Sequence, residues 1–172
     1  MAARDQGQAP TAVLAEPARV LIVAAPFYRA IADQLIAGAR TALDAGRAAS
    51  EIVEVPGALE LPTAIRLASR AARFDGYVAL GCVIRGETTH YDTVCADSSR
   101  GLTLLGLDGL CIGNGILTVE NETQAQVRAD PAGMNKGGGA AEACLHLIAL
   151  VRRFAPASSP ALARATDREP AG

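Results

Sequence analysis

Short apolar runs alternate along this chain with apolar residues at helical spacing, and that alternation constrains the fold more than any other feature. Residues 20–24 form an apolar run of the kind needed by a strand buried on both faces. Ile31, Leu35, Ile36, Ala39 and Leu43 then recur on one helical face, with Gly46 as a stop. Residues 51–55 predict a second strand, closed by the Pro56-Gly57 turn. Pro62 suits the first turn of a helix running to about residue 72. A third strand is predicted over 76–84, and helical spacing returns at Val94, Ser98, Leu102 and Leu105. A fourth strand falls near 110–118, followed by a short helix over 120–128. A last helix is expected after the glycines at 137–139, with Ala140, Cys144, Leu147, Ile148 and Val151 inward. Parallel strands need crossover connections, so this order predicts an α/β fold with a central four-stranded parallel sheet and helices on both faces.

The 172 residues suffice for one domain, and half of them are hydrophobic. Only 3% are aromatic and none is Trp, so the core must come from Ala, Leu, Val and Ile. Such side chains bury less area each, which favours further burial against another subunit. Residues 1–18, rich in Ala, Pro and Gln, are expected to form a flexible arm; 19–154 form the folded domain. Residues 155–172, with Pro156, Pro160 and Pro170, are expected to form a disordered tail. The net charge of −2, with no basic stripe, argues against nucleic-acid binding. Cys82, Cys95, Cys111 and Cys144 form no CxxC pair and the chain has only two histidines, so no zinc site is expected. The cysteines read instead as small buried hydrophobes. The first 19 residues do not resemble a signal peptide, and no apolar run approaches the ~20 residues of a membrane span. The cytoplasm is the expected location.

In parallel sheets ligands bind at the carboxyl ends of the strands, so the segments that follow the strands carry the chemistry. The richest is 81–92, which leaves a buried strand and enters a helix. A helix N-terminus there favours an anion, Gly86 permits close backbone approach, and Thr88 and Thr89 suit either phosphate binding or plain capping. His90 lies in the same loop and is the side chain best matched to proton transfer near neutral pH; a surface or capping role is its alternative. His146 falls inside the last helix and reads as structural or solvent-facing. Lys136 beside a glycine-rich helix start is a candidate for attracting an anion, although the P-loop spacing is missing; a flexible entry to the helix is its alternative. Arg128 serves an anion or its own helix dipole. Phe27, directly after the first strand, is a candidate for stacking on a flat ring or for a local core contact, and Glu60 for accepting hydrogen bonds from a polar ligand or for pairing with a helix N-terminus. Together these groups describe a pocket suited to joining a flat amine to a phosphorylated partner.

Several ordered segments resemble the 6,7-dimethyl-8-ribityllumazine synthase family. They are Ala25-Pro26-Phe27-Tyr28, the stretch 55–62 (VPGALELP), the stretch 79–90 (ALGCVIRGETTH), Gly115-Ile116-Leu117-Thr118 and Asn135-Lys136-Gly137. The resemblance implies a flavodoxin-like three-layer α/β/α sandwich. It also implies a cytoplasmic enzyme of riboflavin biosynthesis that condenses 5-amino-6-(D-ribitylamino)uracil with 3,4-dihydroxy-2-butanone 4-phosphate, without metal or organic cofactor. Phe27 would then stack on the pyrimidine, with Ala58, Leu59 and Glu60 along the ribityl chain and Cys82, Val83 and Ile84 at the pyrimidine edge. Glu87 and Thr88 would offer backbone N–H groups to the phosphate, Arg128 its charge, and Lys136 would lie near the same site. His90 would shuttle protons. The resemblance further implies a homopentamer, or an assembly of pentamers, whose sites lie between subunits and take Asn114, Arg128 and Lys136 from the adjacent chain.

Leu59 departs from a usual aromatic of the family, and Asn114 stands where many members carry Phe. Both changes bear on affinity and neither on the type of reaction. An alternative is a non-catalytic flavin- or lumazine-binding homologue, or a cage-forming one. A flavodoxin-type electron carrier would need a phosphate loop after the first strand, which Pro26-Phe27-Tyr28 does not resemble.

Overall fold

Four strands pair in the order β2-β1-β3-β4, every pair parallel. The computed structural model describes residues 12–71 and 73–155. The elements run β1 (Ala18–Ala24), α1 (Arg29–Ala45), β2 (Ala48–Glu54), α2 (Glu60–Ser69) and β3 (Gly76–Ile84). They continue with α3 (His90–Leu107), β4 (Ile112–Val119), α4 (Glu122–Ala129) and α5 (Lys136–Phe154). The strand order begins as in flavodoxin-like sheets, and the helices form a layer on each face. The expected three-layer α/β sandwich is therefore present.

The period-2 alternation of the central strands divides the core. Val20, Ile22 and Ala24 of β1, with Val78 and Leu80 of β3, pack against α1, α4 and α5. Leu21 and Val23, with Tyr77 and Ala79, pack against α2 and α3. Both strands are buried on both faces, which is why they read as continuous apolar runs. The edge strand β4 instead buries Gly113, Gly115, Leu117 and Val119 and leaves Asn114 and Thr118 exposed.

Several boundaries differ from the sequence reading. Strand β2 begins at Ala48 rather than 51, because Ala18, Arg19 and Val20 of β1 pair with Ala48, Ala49 and Ser50. Pairing with a neighbour overrides the weak strand preference of those residues. Helix α2 begins at Glu60, two residues before Pro62, which still lies in the first turn where its missing N–H costs nothing. Helix α4 begins at Glu122, capped by Asn121, whose side chain accepts from the Gln124 N–H at 3.0 Å.

The largest difference concerns α5. The glycines at 137–139 lie inside its first turn, not before it. A Cβ at Gly137 would come within 2.1 Å of the Leu35 carbonyl oxygen, and one at Gly113 within 1.9 Å of the Ala140 oxygen. These glycines therefore let α5 press against α1 and β4. That contact sets its rotation: Ala140, Cys144 and Ile148 are buried as expected, whereas Leu147 and Val151 are exposed and Ala141 and Leu145 are buried instead.

The inner end of the expected arm is fastened. Leu14 is 3% exposed and donates its N–H to the Gly46 oxygen at 3.2 Å. Arg47 holds the Leu14 and Ala15 oxygens at 3.1 and 2.6 Å, and Arg152 holds those of Glu16 and Pro17. The expected arm before residue 12 and the expected tail beyond residue 155 lie outside the described residues. Among the described residues no helix is long and apolar enough to cross a membrane.

Candidate active site

The carboxyl ends of β1, β2 and β3 open into a cavity of about 450 Å³. Its walls come from the segments that follow those strands. Phe27 follows β1; Ala58, Leu59 and Glu60 form the turn into α2; Cys82, Val83 and Ile84 end β3; Thr88 and His90 lie where the next loop enters α3. The strand ends are tied by the Ala25 N–H to the Leu80 oxygen and the Val55 N–H to the Ala24 oxygen, each at 2.8 Å. The cavity therefore rests on sheet backbone.

The Phe27 ring is 74% exposed and meets Tyr28 edge-on, with centroids 5.1 Å apart. A face remains available for stacking on a flat ligand. Burial pushes the Cys82 thiol up to about 11, so it presents a neutral wall near pH 7. Glu60 lies in the first turn of α2, its carboxylate near Gly57. Thr89, the residue before α3, makes no side-chain cap, and Thr88 Oγ1 accepts only a 3.4 Å bond from the His90 N–H. Backbone donors at this helix start are therefore left for water or an anion.

Asn114, Arg128 and Lys136 lie elsewhere. They line a second cleft of about 670 Å³ between β4, the end of α4 and the start of α5, together with Met134 and His146. Arg128 donates to its own helix, from Nη1 to the Gln124 oxygen at 3.1 Å, as its dipole reading expects. Asn114 Oδ1 accepts from the Ile116 N–H at 3.0 Å, which orients its amide along the sheet edge. Asn135 takes a left-handed conformation that Asn tolerates, caps α5 through the Gly138 N–H, and so places Lys136 at the first helical position. Glu87 lines neither cleft and sits on the exposed turn beside Thr88.

One chain thus brings nine of the residues to which the family resemblance gives a role into one cavity and three into another. Tyr28, Tyr91 and Val94 also line the first cavity without having been given a role there. The signal was available for the two tyrosines, which neighbour Phe27 and His90 in the same strand-end loops. Among the described residues no three His, Cys, Asp or Glu side chains gather as metal ligands.

The sheet order and the cavity at its strand ends define a small-molecule-binding α/β protein of flavodoxin-like topology. A family model described as 6,7-dimethyl-8-ribityllumazine synthase matches residues 17–152. Relatives bearing that name include one from Jannaschia sp. (strain CCS1), 59% identical over 81% of this chain and 78% of the relative. A second, from Sphingopyxis alaskensis, is 58% identical over 80% of this chain and 97% of its own length. A third, from Methylobacterium radiotolerans, is 50% identical over 91% and 95%. The chain belongs to the 6,7-dimethyl-8-ribityllumazine synthase family.

Proposed function

We propose that this chain condenses 5-amino-6-(D-ribitylamino)uracil with 3,4-dihydroxy-2-butanone 4-phosphate in riboflavin biosynthesis. The observation that carries the reading is the strand-end cavity, which combines an exposed aromatic face, a neutral thiol wall, open helix N–H donors and His90. The amine attacks the ketone, water leaves and an imine forms. Phosphate then departs, and ring closure releases a second water. Phe27 stacks on the pyrimidine, Cys82, Val83 and Ile84 border its edge, and Ala58, Leu59 and Glu60 line the ribityl chain. The N–H groups of Glu87 and Thr88 receive the phosphate, and His90 carries protons between the reacting atoms.

Phosphate recognition also calls for a cation, and the cavity of one chain contains none among its lining residues. Arg128 and Lys136 supply it from the second cleft of a neighbouring subunit, with Asn114 beside the pyrimidine. A homopentamer, alone or in a larger assembly, is the arrangement we propose, and sedimentation tests it. The four free thiols suit a reducing compartment, in keeping with the proposed cytoplasmic location. The non-catalytic alternative is not favoured, since the relatives are synthases by name. The deciding experiment is turnover of the purified chain with both substrates, followed through product absorbance and fluorescence. Product formation supports the reading; tight lumazine or flavin binding without product overturns it.

A further inference from the structure

Arg85 is the first residue beyond β3 and opens the turn 86–89 that leads to His90. Its guanidinium is engaged on three sides. Nε donates to Glu120 Oε2 at 2.9 Å, and Nη2 to Asp92 Oδ1 at 3.3 Å. Cζ lies 4.1 Å from the centroid of the Tyr91 ring. The Arg85 N–H also donates to the Val119 oxygen at 3.0 Å. The main chain of Glu120 is itself held, because its N–H donates to Gln124 Oε1 of α4 at 3.1 Å.

One planar group therefore joins the start of the turn, the first turn of α3 and the end of β4. The turn between them holds little of its own. Thr89 makes no side-chain cap, the Thr88–His90 bond is long, and nothing lies within 4 Å of where a Cβ at Gly86 would stand. The ion pairs are half exposed, with the Arg85 side chain at 41%, so global stability gains little from them. Their geometry instead restrains a segment that faces the cavity through Gly86, Thr88, His90 and Tyr91. A guanidinium can bridge two carboxylates and stack at once, which an ammonium cannot.

We propose that Arg85 is a positioning residue: bridging Glu120 and Asp92 over Tyr91, it holds the turn 86–89 in the shape that receives the substrate's phosphate. The inference rests on the reading of the cavity given under Proposed function. The test compares wild type, Arg85→Ala and Arg85→Lys as full chains in three measurements. These are steady-state kinetics with each substrate varied, calorimetric binding of inorganic phosphate, and thermal unfolding. Arg85→Ala is expected to raise KM for the phosphorylated substrate and weaken phosphate binding by ~10-fold, the scale of a charge-assisted hydrogen bond. KM for the pyrimidine should change less than ~2-fold, with Tm within about 3 °C, as for a half-exposed ion pair. Arg85→Lys should recover only part of the loss. Unchanged phosphate affinity in Arg85→Ala overturns the proposal, as does an equal rise of both KM values with a lowered Tm. Full recovery in Arg85→Lys also overturns it, because charge alone would then suffice. A wild type that makes no product, but whose phosphate affinity falls in Arg85→Ala, sinks the reaction and leaves the positioning role standing.

Discussion

The cavity above β1, β2 and β3 and the cleft beside β4 differ in what they present to a ligand. The first offers an aromatic face, a thiol held neutral by burial, one carboxylate and His90. The second offers Arg128, Lys136 and the Asn114 amide. Proton transfer and ring recognition suit the first, and anion attraction suits the second. Neither holds the full set that a phosphate-releasing condensation requires. The division locates the joint between subunits in the proposed reading: a site completed across an interface links catalysis to assembly.

The sharpest way to break this comparison is to remove the proton carrier. His90→Ala is expected to lower kcat by ~10²–10⁴-fold, the usual contribution of a general acid–base, with sedimentation unchanged. An unaltered kcat would take His90 out of the mechanism. Next in size is Arg128→Ala, which should raise KM for the phosphorylated substrate by roughly 10- to 100-fold and spare the pyrimidine. Equal effects on both constants would deny the second cleft its phosphate role.

Co-expression of His90→Ala with Arg128→Ala sharpens the comparison further. If each site draws on two chains, random mixing should restore roughly a quarter of wild-type activity at phosphorylated substrate well below KM, because closed rings pair each cavity with a neighbour's cleft. No recovery would place both residues in one chain's site.

The smallest effects concern the neutral wall. Burial lifts the thiols of Cys82 and Cys144 to about 11 and about 12, above the ordinary value of 9.0. Iodoacetamide at pH 8 should therefore modify Cys82 on the order of a hundred-fold more slowly than an ordinary thiol, as tryptic mapping would record. The folded state also holds these protons more tightly than the unfolded one. The stability they contribute is complete below about pH 9 and is lost as pH rises towards the folded-state values. Tm should thus fall steadily above pH 9; a flat profile would contradict burial of these groups.

Most of the first cavity was legible in the sequence. Phe27, Thr88 and His90 follow strands whose apolar runs mark them, Glu60 follows the Pro56-Gly57 turn, and parallel sheets place ligands at those ends. The edge strands were read less well. The start of β2 at Ala48 depends on pairing with β1, and Ala48, Ala49 and Ser50 carry no strand signal of their own. The glycines of α5 were read as a flexible approach to the helix, yet Gly137 is a packing contact. Its meaning depends on Leu35, about a hundred positions away in the chain.

The amino-acid order alone determined the alternation of strand and helix, the double burial of β1 and β3, and the residue types at the strand ends. These follow from local spacing, which sets the face each side chain takes. Only the tertiary structure decided that Asn114, Arg128 and Lys136 stand in a separate cleft from His90, and that α5 turns its 137/141/145 row to α1. Both depend on which backbones approach closely, and close approach is a property of two distant segments together, which no local pattern encodes.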